Sequence, residues 1–103
     1  MGRRRHYLEH KETARAIVHA RIDHLNRHYQ VPIRKIFIKN HRSRWGSCSS
    51  RGNLNFNYRL AFLSLELVDY VIAHELAHLR EFNHSPKFSE LVAATVPSHN
   101  TLH

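Results

Sequence analysis

Two histidines and a glutamate stand close together in the segment His74-Glu75-Leu76-Ala77-His78. Residues four apart lie one above the other on the same face of an α-helix, so both imidazoles can reach one metal ion from a rigid support. The glutamate beside the first histidine is placed to take a proton from a water molecule on that ion. This H-E-x-x-H spacing is typical of zinc hydrolases. It predicts His74 and His78 as metal ligands and Glu75 as general base.

The motif needs support from its surroundings, because the chain has 11 histidines in 103 residues. Three other histidine pairs have the same spacing: His6/His10, His24/His28 and His99/His103. None of them has a glutamate after its first histidine, and only His74/His78 lies in a long apolar helical pattern. We expect His24/His28 to be an exposed pair, since neither a third ligand nor a base adjoins it.

An amphipathic helix over about residues 65–82 is predicted to carry the motif, with Ser64 as its N-cap and Glu66 favourable in its first turn. Its apolar residues share one broad arc: Leu65, Leu67, Val68, Val71, Ile72, Leu76, Leu79 and Phe82. Glu75 falls near the middle of this arc, where an ionised carboxylate costs several kcal/mol unless it is paired or used. We therefore interpret Glu75 as functional. The alternative is a buried ion pair with an arginine of the sheet.

A catalytic zinc ion usually takes three protein ligands and keeps a fourth position for water. After the motif helix, Ser85-Pro86 is typical of a new helix start, so His84 lies at a break between helices. A bend there brings the chain back towards the ion, and we predict His84 as the third ligand. The competing ligand is Glu90, on a short final helix over about residues 86–95.

A first helix and three strands are predicted upstream of the motif. The helix covers about residues 8–30, and its apolar residues recur at steps of three and four: Ala14, Ile17, Val18, Ile22, Leu25 and Tyr29. The strands are expected at residues 36–38, 44–48 and 53–60, the last alternating apolar residues with asparagines. Turn-forming residues at 49–52 predict that the last two strands form a hairpin. These elements predict an α+β fold.

Length and composition limit the classes of protein to which this chain can belong. The 103 residues predict one domain (1–103) with a core of about 8–97, a basic N-terminal tail and a loose C-terminal tail. The lone Cys48 excludes an internal disulfide framework and favours a reducing, cytoplasmic location. No stretch approaches the length of a membrane span. A net charge of +8 favours contact with polyanions such as nucleic acid, beside the plainer reading of a solvated basic surface.

For several other residues the sequence does not decide between a structural and a functional role. Trp45 is expected either to line a substrate cleft or to pack in the core. Cys48 is expected to be a small buried apolar residue, the alternative being an inhibitory zinc ligand. Tyr58, Arg59 and Arg80 are candidates for stabilising an oxyanion, although the sequence gives them no geometry.

Four segments follow one another in order: Arg44-Trp45-Gly46-Ser47-Cys48-Ser49, Gly52-Asn53-Leu54-Asn55-Phe56-Asn57, residues 71–79, and Asn83-His84-Ser85. Together they resemble the YgjP-like metallopeptidase family, which is related to WLM and SprT-like proteases. The resemblance runs from about residue 14 to 97. It implies a minimal zincin-like domain: an N-terminal helix, a small three-stranded, mostly antiparallel sheet, the central motif helix and a short C-terminal helix. It also implies one zinc ion on His74, His78 and His84, with Glu75 as the base.

The sequence therefore predicts a zinc-dependent metallopeptidase that hydrolyses peptide or related amide bonds in a peptide or protein substrate. The alternative is a non-catalytic, zinc-stabilised module that binds nucleic acid or protein. The two differ at Glu75, because only the enzyme needs a base at that position.

Overall fold

The structure, a computed structural model, describes residues 2–41 and 43–80. In chain order the elements are helix α1 (Gly2–Tyr29), strands β1 (Lys35–Lys39), β2 (Gly46–Cys48) and β3 (Asn53–Asn57), a 3₁₀ helix (Tyr58–Phe62) and helix α2 (Leu65–Arg80). This arrangement confirms the predicted α+β class. The helix predicted at 86–95 and the C-terminal tail, with His84 and Glu90, lie outside the described residues. Neither α1 nor α2 combines the length and apolar character that crossing a membrane requires.

Helix α1 lays one apolar stripe on the core, as its periodicity predicts. The buried residues of this stripe are Ala14, Val18, Ile22, Leu25 and Tyr29. The helix begins at Gly2 rather than near residue 8, so Arg4 and Arg5 lie in the helix and not in a basic tail. Arginine is a strong helix former, and an ion pair of 3.3 Å joins Arg5 to Glu9 one turn later. An apolar stripe marks only the part of a helix that packs, which explains the early start.

The end of α1 is fixed by side chains. Gln30 has a φ of 52°, in the left-handed region, and its backbone N–H donates to the carbonyl of Asn26 at 2.7 Å. The Asn26 side chain accepts from the N–H of Val31 and donates to the carbonyl of Val31, both at 3.0 Å. From α2, the Arg80 Nη1 donates to the carbonyl of Tyr29 at 2.7 Å. The ends of the two helices are thereby joined, and a terminal carbonyl gains a partner.

The three strands form one sheet in the order β1-β3-β2. The predicted hairpin is confirmed, since β2 and β3 pair antiparallel. Its turn needs glycine at Gly52, where φ is +91° and a Cβ would stand 2.9 Å from the carbonyl oxygen of Pro32. The expectation of a mostly antiparallel sheet is wrong, because β1 and β3 pair parallel along their whole length. The strand whose apolar side chains, Leu54 and Phe56, are fully buried takes the centre. β1 therefore pairs with β3 and not with the strand that follows it in the chain.

Helix α2 begins as predicted, because the Ser64 hydroxyl accepts the N–H of Leu67 at 3.3 Å. Leu65 is 56% exposed, so the buried face is narrower than the predicted arc. The buried residues of α2 are Val68, Ile72, Ala73, Glu75, Leu76 and Ala77. Arg21 of α1 holds Asp69 through two hydrogen bonds, Nε to Oδ1 at 2.7 Å and Nη2 to Oδ2 at 2.8 Å. This forked pair fixes α2 against α1.

A buried asparagine holds the segment that leads into β2. Asn57 is 3% exposed, and its Nδ2 donates to the carbonyls of His41 and Arg44, both at 2.9 Å. Its Oδ1 accepts the N–H of Arg59 at 3.0 Å, which ends β3 and starts the 3₁₀ helix. Asn57, one of the asparagines that alternate with apolar residues in the predicted strand, is therefore a buried side chain that clamps the loop before β2.

We predict that Asn57→Ala lowers the free energy of unfolding by about 2 kcal/mol, because buried carbonyls and an N–H lose their partner. Urea denaturation measures this loss. Asn55→Ala is the matched control: Asn55 is on the same strand, and its side chain makes one long hydrogen bond, 3.3 Å to the Ser47 hydroxyl. We expect the control to cost less than about 1 kcal/mol. Equal losses for the two variants would contradict the role given to Asn57.

Candidate metal centre

The two motif histidines lie together on one face of α2. The ring centroids of His74 and His78 are 4.8 Å apart, and the ring planes meet at 77°. Both residues line a cavity of about 410 Å³ between α2 and β2. The i, i+4 spacing therefore brings the two imidazoles to one opening, as the helical register requires.

Glu75 is buried, as its place on the apolar arc predicts. The residue is 7% exposed, and its Oε2 lies 3.6 Å from the Nδ1 of His74. Within residues 2–41 and 43–80, the ion-pair contact of Glu75 is the one with His74. An ion pair between Glu75 and an arginine of the sheet, the predicted alternative, therefore has no support among those residues. Glu75 also lines the cavity that the two histidines share. A carboxylate held in the interior and reaching a cleft is a feature of functional sites.

Gly46 of β2 allows Glu75 to lie this close to the sheet. A Cβ at Gly46 would stand 3.3 Å from the Cγ of Glu75, 3.1 Å from the Cδ1 of Phe56 and 3.3 Å from the carbonyl oxygen of Asn55. These separations are tighter than ordinary van der Waals contact, so a side chain at this position requires Glu75, Phe56 or the strand backbone to shift by a few tenths of an ångström. Reasoning from the sequence did not assign this role. The available signal was a glycine inside a predicted strand, which often marks close approach of another group.

Cys48 faces the same cavity from the other end of β2. Burial raises the pKa of its thiol to about 12, and the neighbouring Glu75 carboxylate adds to this by repelling a thiolate and accepting a hydrogen bond. The thiol is therefore protonated at neutral pH in the metal-free protein. Cys48 packs against the core but is only partly buried, so the predicted burial is met in part. The thiolate, and not the thiol, is the form that binds metal ions.

A second, smaller hollow of about 170 Å³ lies on the other side of Gly46. It is lined by Trp45, Gly46, Tyr70, Val71, His74 and Glu75. Trp45 is 45% exposed, so of its two predicted roles the structure favours lining a cleft over packing in the core. Burial raises the pKa of the Tyr70 phenol, which indicates a partly desolvated wall.

The three oxyanion candidates are engaged elsewhere and line neither cavity. The hydroxyl of Tyr58 lies 2.8 Å from the Nδ1 of His6. The Nη1 of Arg59 donates to the carbonyl of His41 at 2.8 Å, and Arg80 caps α1. The structure therefore does not bring these side chains to the motif, although their residue types suggested it.

The other histidine pairs on α1 behave as the sequence suggests. His24 and His28 are exposed, as predicted. The ring of His6 stacks on Phe62 with the centroids 5.2 Å apart, and the ring of His10 meets the same phenyl edge-on at 4.9 Å. Neither α1 pair lines the cavity beside Glu75.

The donor set at the motif fits a zinc ion in its chemistry. Imidazole nitrogens are common zinc ligands, and two of them face one cavity beside a buried carboxylate. Among the residues that the structure describes, no group of three or more His, Cys, Asp or Glu side chains is arranged to hold a metal ion. A third ligand would have to come from elsewhere, and the predicted one, His84, lies outside those residues.

Comparison with known proteins identifies the family of this chain. No curated protein sequence matches the chain. The crystal structure of the metallopeptidase zymogen of Pyrococcus abyssi abylysin has a similar fold, with a TM-score of 0.72 and 21% sequence identity over 82% of this chain and 86% of that chain. The family of the YgjP-like, metallopeptidase domain matches residues 3–103, which is nearly the whole chain. The resemblance seen in the sequence is thereby confirmed, and the chain belongs to the family of YgjP-like metallopeptidase domains.

Proposed function

We propose that this protein is a zinc-dependent peptidase that hydrolyses peptide or related amide bonds, with Glu75 as its general base. The observation that carries the proposal is the position of the Glu75 carboxylate. It is buried against Gly46, lies 3.6 Å from the Nδ1 of His74, and lines the cavity that His78 also lines. A carboxylate in the interior is costly unless it is paired or used, and proton transfer at this cavity is such a use.

In this proposal His74 and His78 hold one zinc ion, together with His84 from the segment after α2. When bound there, zinc would lower the pKa of a water molecule and would polarise the carbonyl of the scissile bond. The Oε2 of Glu75 takes a proton from the attacking water and passes it to the leaving amine. Because Gly46 has no side chain, the Cγ of Glu75 lies close to β2, and the strand limits how far the carboxylate can move from the cavity.

The edge of the sheet offers a place for the substrate backbone. β2 is the last strand in the order β1-β3-β2, and its outer edge has no partner strand among residues 2–41 and 43–80. An extended peptide can add to such an edge through backbone hydrogen bonds. Both cavities include Gly46 of β2 in their walls. A peptide on this edge would therefore pass beside His74 and Glu75.

The net charge of +8 supports contact with nucleic acid as a secondary role, and a cytoplasmic location remains a prediction of the lone cysteine. The competing proposal is a zinc-stabilised module without catalysis. It explains the two histidines but gives no reason for a buried carboxylate between them. The Glu75→Gln variant separates the two proposals. A module without catalysis has no hydrolysis that this substitution could remove, whereas the enzyme loses activity.

We predict about one zinc ion per purified chain, measured by elemental analysis, and cleavage of an unstructured protein. His78→Ala should lose the ion, and with it both cleavage and the rise in melting temperature that bound zinc gives. Glu75→Gln should retain the ion and that rise in melting temperature while losing at least about 100-fold in kcat/KM, since the base is gone.

His24→Ala is the matched control, because His24 also belongs to an i, i+4 pair but is exposed on α1. We expect its zinc content and cleavage to equal those of the unaltered protein. Zinc at full stoichiometry in His78→Ala would overturn the metal site. Undiminished cleavage by Glu75→Gln would overturn the mechanism and leave the metal site standing.

We further predict that Gly46→Ala reduces kcat/KM by about 10- to 100-fold with zinc still bound, because its Cβ would push the Glu75 carboxylate out of place. Peptide cleavage and zinc content are measured together. Ser47→Ala, the neighbouring change in the same strand, removes a hydroxyl and adds no bulk. A Gly46→Ala enzyme as active as the Ser47→Ala enzyme would show that the position of Glu75 does not depend on this contact.

A further inference from the structure

Trp45 is the single tryptophan of the chain, and it stands next to the proposed catalytic residues with nearly half of its surface exposed. A large aromatic ring gains more stability from burial than from exposure, so folding alone gives no reason for this position. The ring forms one wall of the 170 Å³ hollow, with Tyr70 and Val71 of α2 opposite. The hollow is thus an aromatic and aliphatic recess beside a polar site.

The hollow is continuous with the site that the proposed function uses. Gly46, His74 and Glu75 belong to the walls of both the hollow and the 410 Å³ cavity. A peptide that lies along β2 with its scissile bond at Glu75 therefore presents a neighbouring side chain to the hollow. The side chain that enters lies directly beside the cleaved bond, because Trp45 and Gly46 are consecutive residues.

The size and chemistry of the hollow determine which substrate side chain can occupy it. An apolar cavity of about 150 Å³ in another protein holds a benzene molecule, so 170 Å³ suffices for a phenyl ring or a leucine side chain. Aromatic rings favour edge-on or offset contact with another ring. An acidic side chain would meet the Glu75 carboxylate at the inner end of the hollow and be repelled.

We propose that the hollow of Trp45, Tyr70 and Val71 is a specificity subsite that accepts an aromatic or large aliphatic side chain adjacent to the scissile bond. The proposal rests on the proposed peptidase function and names its substrate class: unfolded or extended segments that expose apolar residues. Apolar pockets of this kind distinguish substrates by roughly tenfold or more.

The first test measures kcat/KM on peptides identical except at the two positions that flank the cleaved bond, which carry Phe, Leu, Ala, Asp or Lys. We expect Phe and Leu to exceed Ala by at least about tenfold, and Asp to be poorest. Trp45→Ala should remove most of the preference for Phe over Ala, and Trp45→Phe should retain it. Phe37→Ala is the control, because Phe37 is also an exposed aromatic but lies on β1.

The second test uses the fluorescence of Trp45, which reports on this hollow alone because no other tryptophan is present. In Glu75→Gln protein, measured with and without added zinc, the Phe and Leu peptides should shift the emission to the blue at lower concentration than the Ala, Asp or Lys peptides. This measurement needs no turnover, so it decides the subsite whether or not the enzyme is active.

The outcomes separate the two proposals. Cleavage without preference for Phe or Leu, better cleavage of the Lys peptide, or an equal loss on all peptides in Trp45→Ala would overturn the subsite and leave the peptidase standing. Absence of zinc and of cleavage would overturn the proposed function. In that case an emission shift specific to the Phe and Leu peptides supports the hollow as an apolar recognition site, and absence of any shift overturns it.

Discussion

The close packing of β2 on α2 at Gly46 and Glu75 is the contact on which the arrangement of this site depends. Because Gly46 has no side chain, the Cγ of Glu75 lies near the strand backbone, and the helix face with His74 and His78 stands beside the strand edge. A side chain at position 46 would separate helix and strand by several tenths of an ångström or tilt the carboxylate. The two cavities lie on either side of this contact, so their shapes depend on it as well.

Two further sets of interactions keep that contact in place. On the helix side, the Arg21–Asp69 fork and the Arg80 bond to the carbonyl of Tyr29 hold α2 against α1. On the strand side, the carbonyl of Trp45 accepts the N–H of Asn57 at 2.9 Å, while the Asn57 amide clamps the preceding loop. β2 is only three residues long, so it depends on these bonds more than a longer strand would.

The elements that the sequence predicted correctly are those specified by local patterns. The N-cap at Ser64, the apolar stripe of α1 and the turn before β3 each depend on neighbours in the chain, and each is confirmed. The burial of Glu75 followed from the same helical periodicity. The exposure of His24 and His28 was predicted because neither a third ligand nor a base adjoins this pair, and it is confirmed.

The features that the sequence did not predict depend on contacts between distant residues. Alternation along β3 showed two faces but not which strand lies at each edge, so the parallel pairing with β1 was missed. The buried role of Asn57 depends on carbonyls 13 and 16 residues away. The role of Trp45 could not be predicted, because an aromatic residue next to a glycine has the same local pattern whether it is buried or exposed. The position of α2 opposite Trp45 decides between the two roles.

The secondary-structure elements contribute to the site in different ways. Among residues 2–41 and 43–80, those that line the two cavities come from residues 45–48 or from α2, and none comes from α1. α1 supports the back of α2 through its buried stripe and through Arg21. Changes on its exposed face should therefore alter stability or surface charge without altering the hollow. Changes at Trp45, which is 45% exposed, alter one wall of the hollow at little cost to the core, because the packing of Glu75 against the strand depends on Gly46 instead. The proposed substrate preference can thus vary while the proposed chemistry at Glu75 stays fixed.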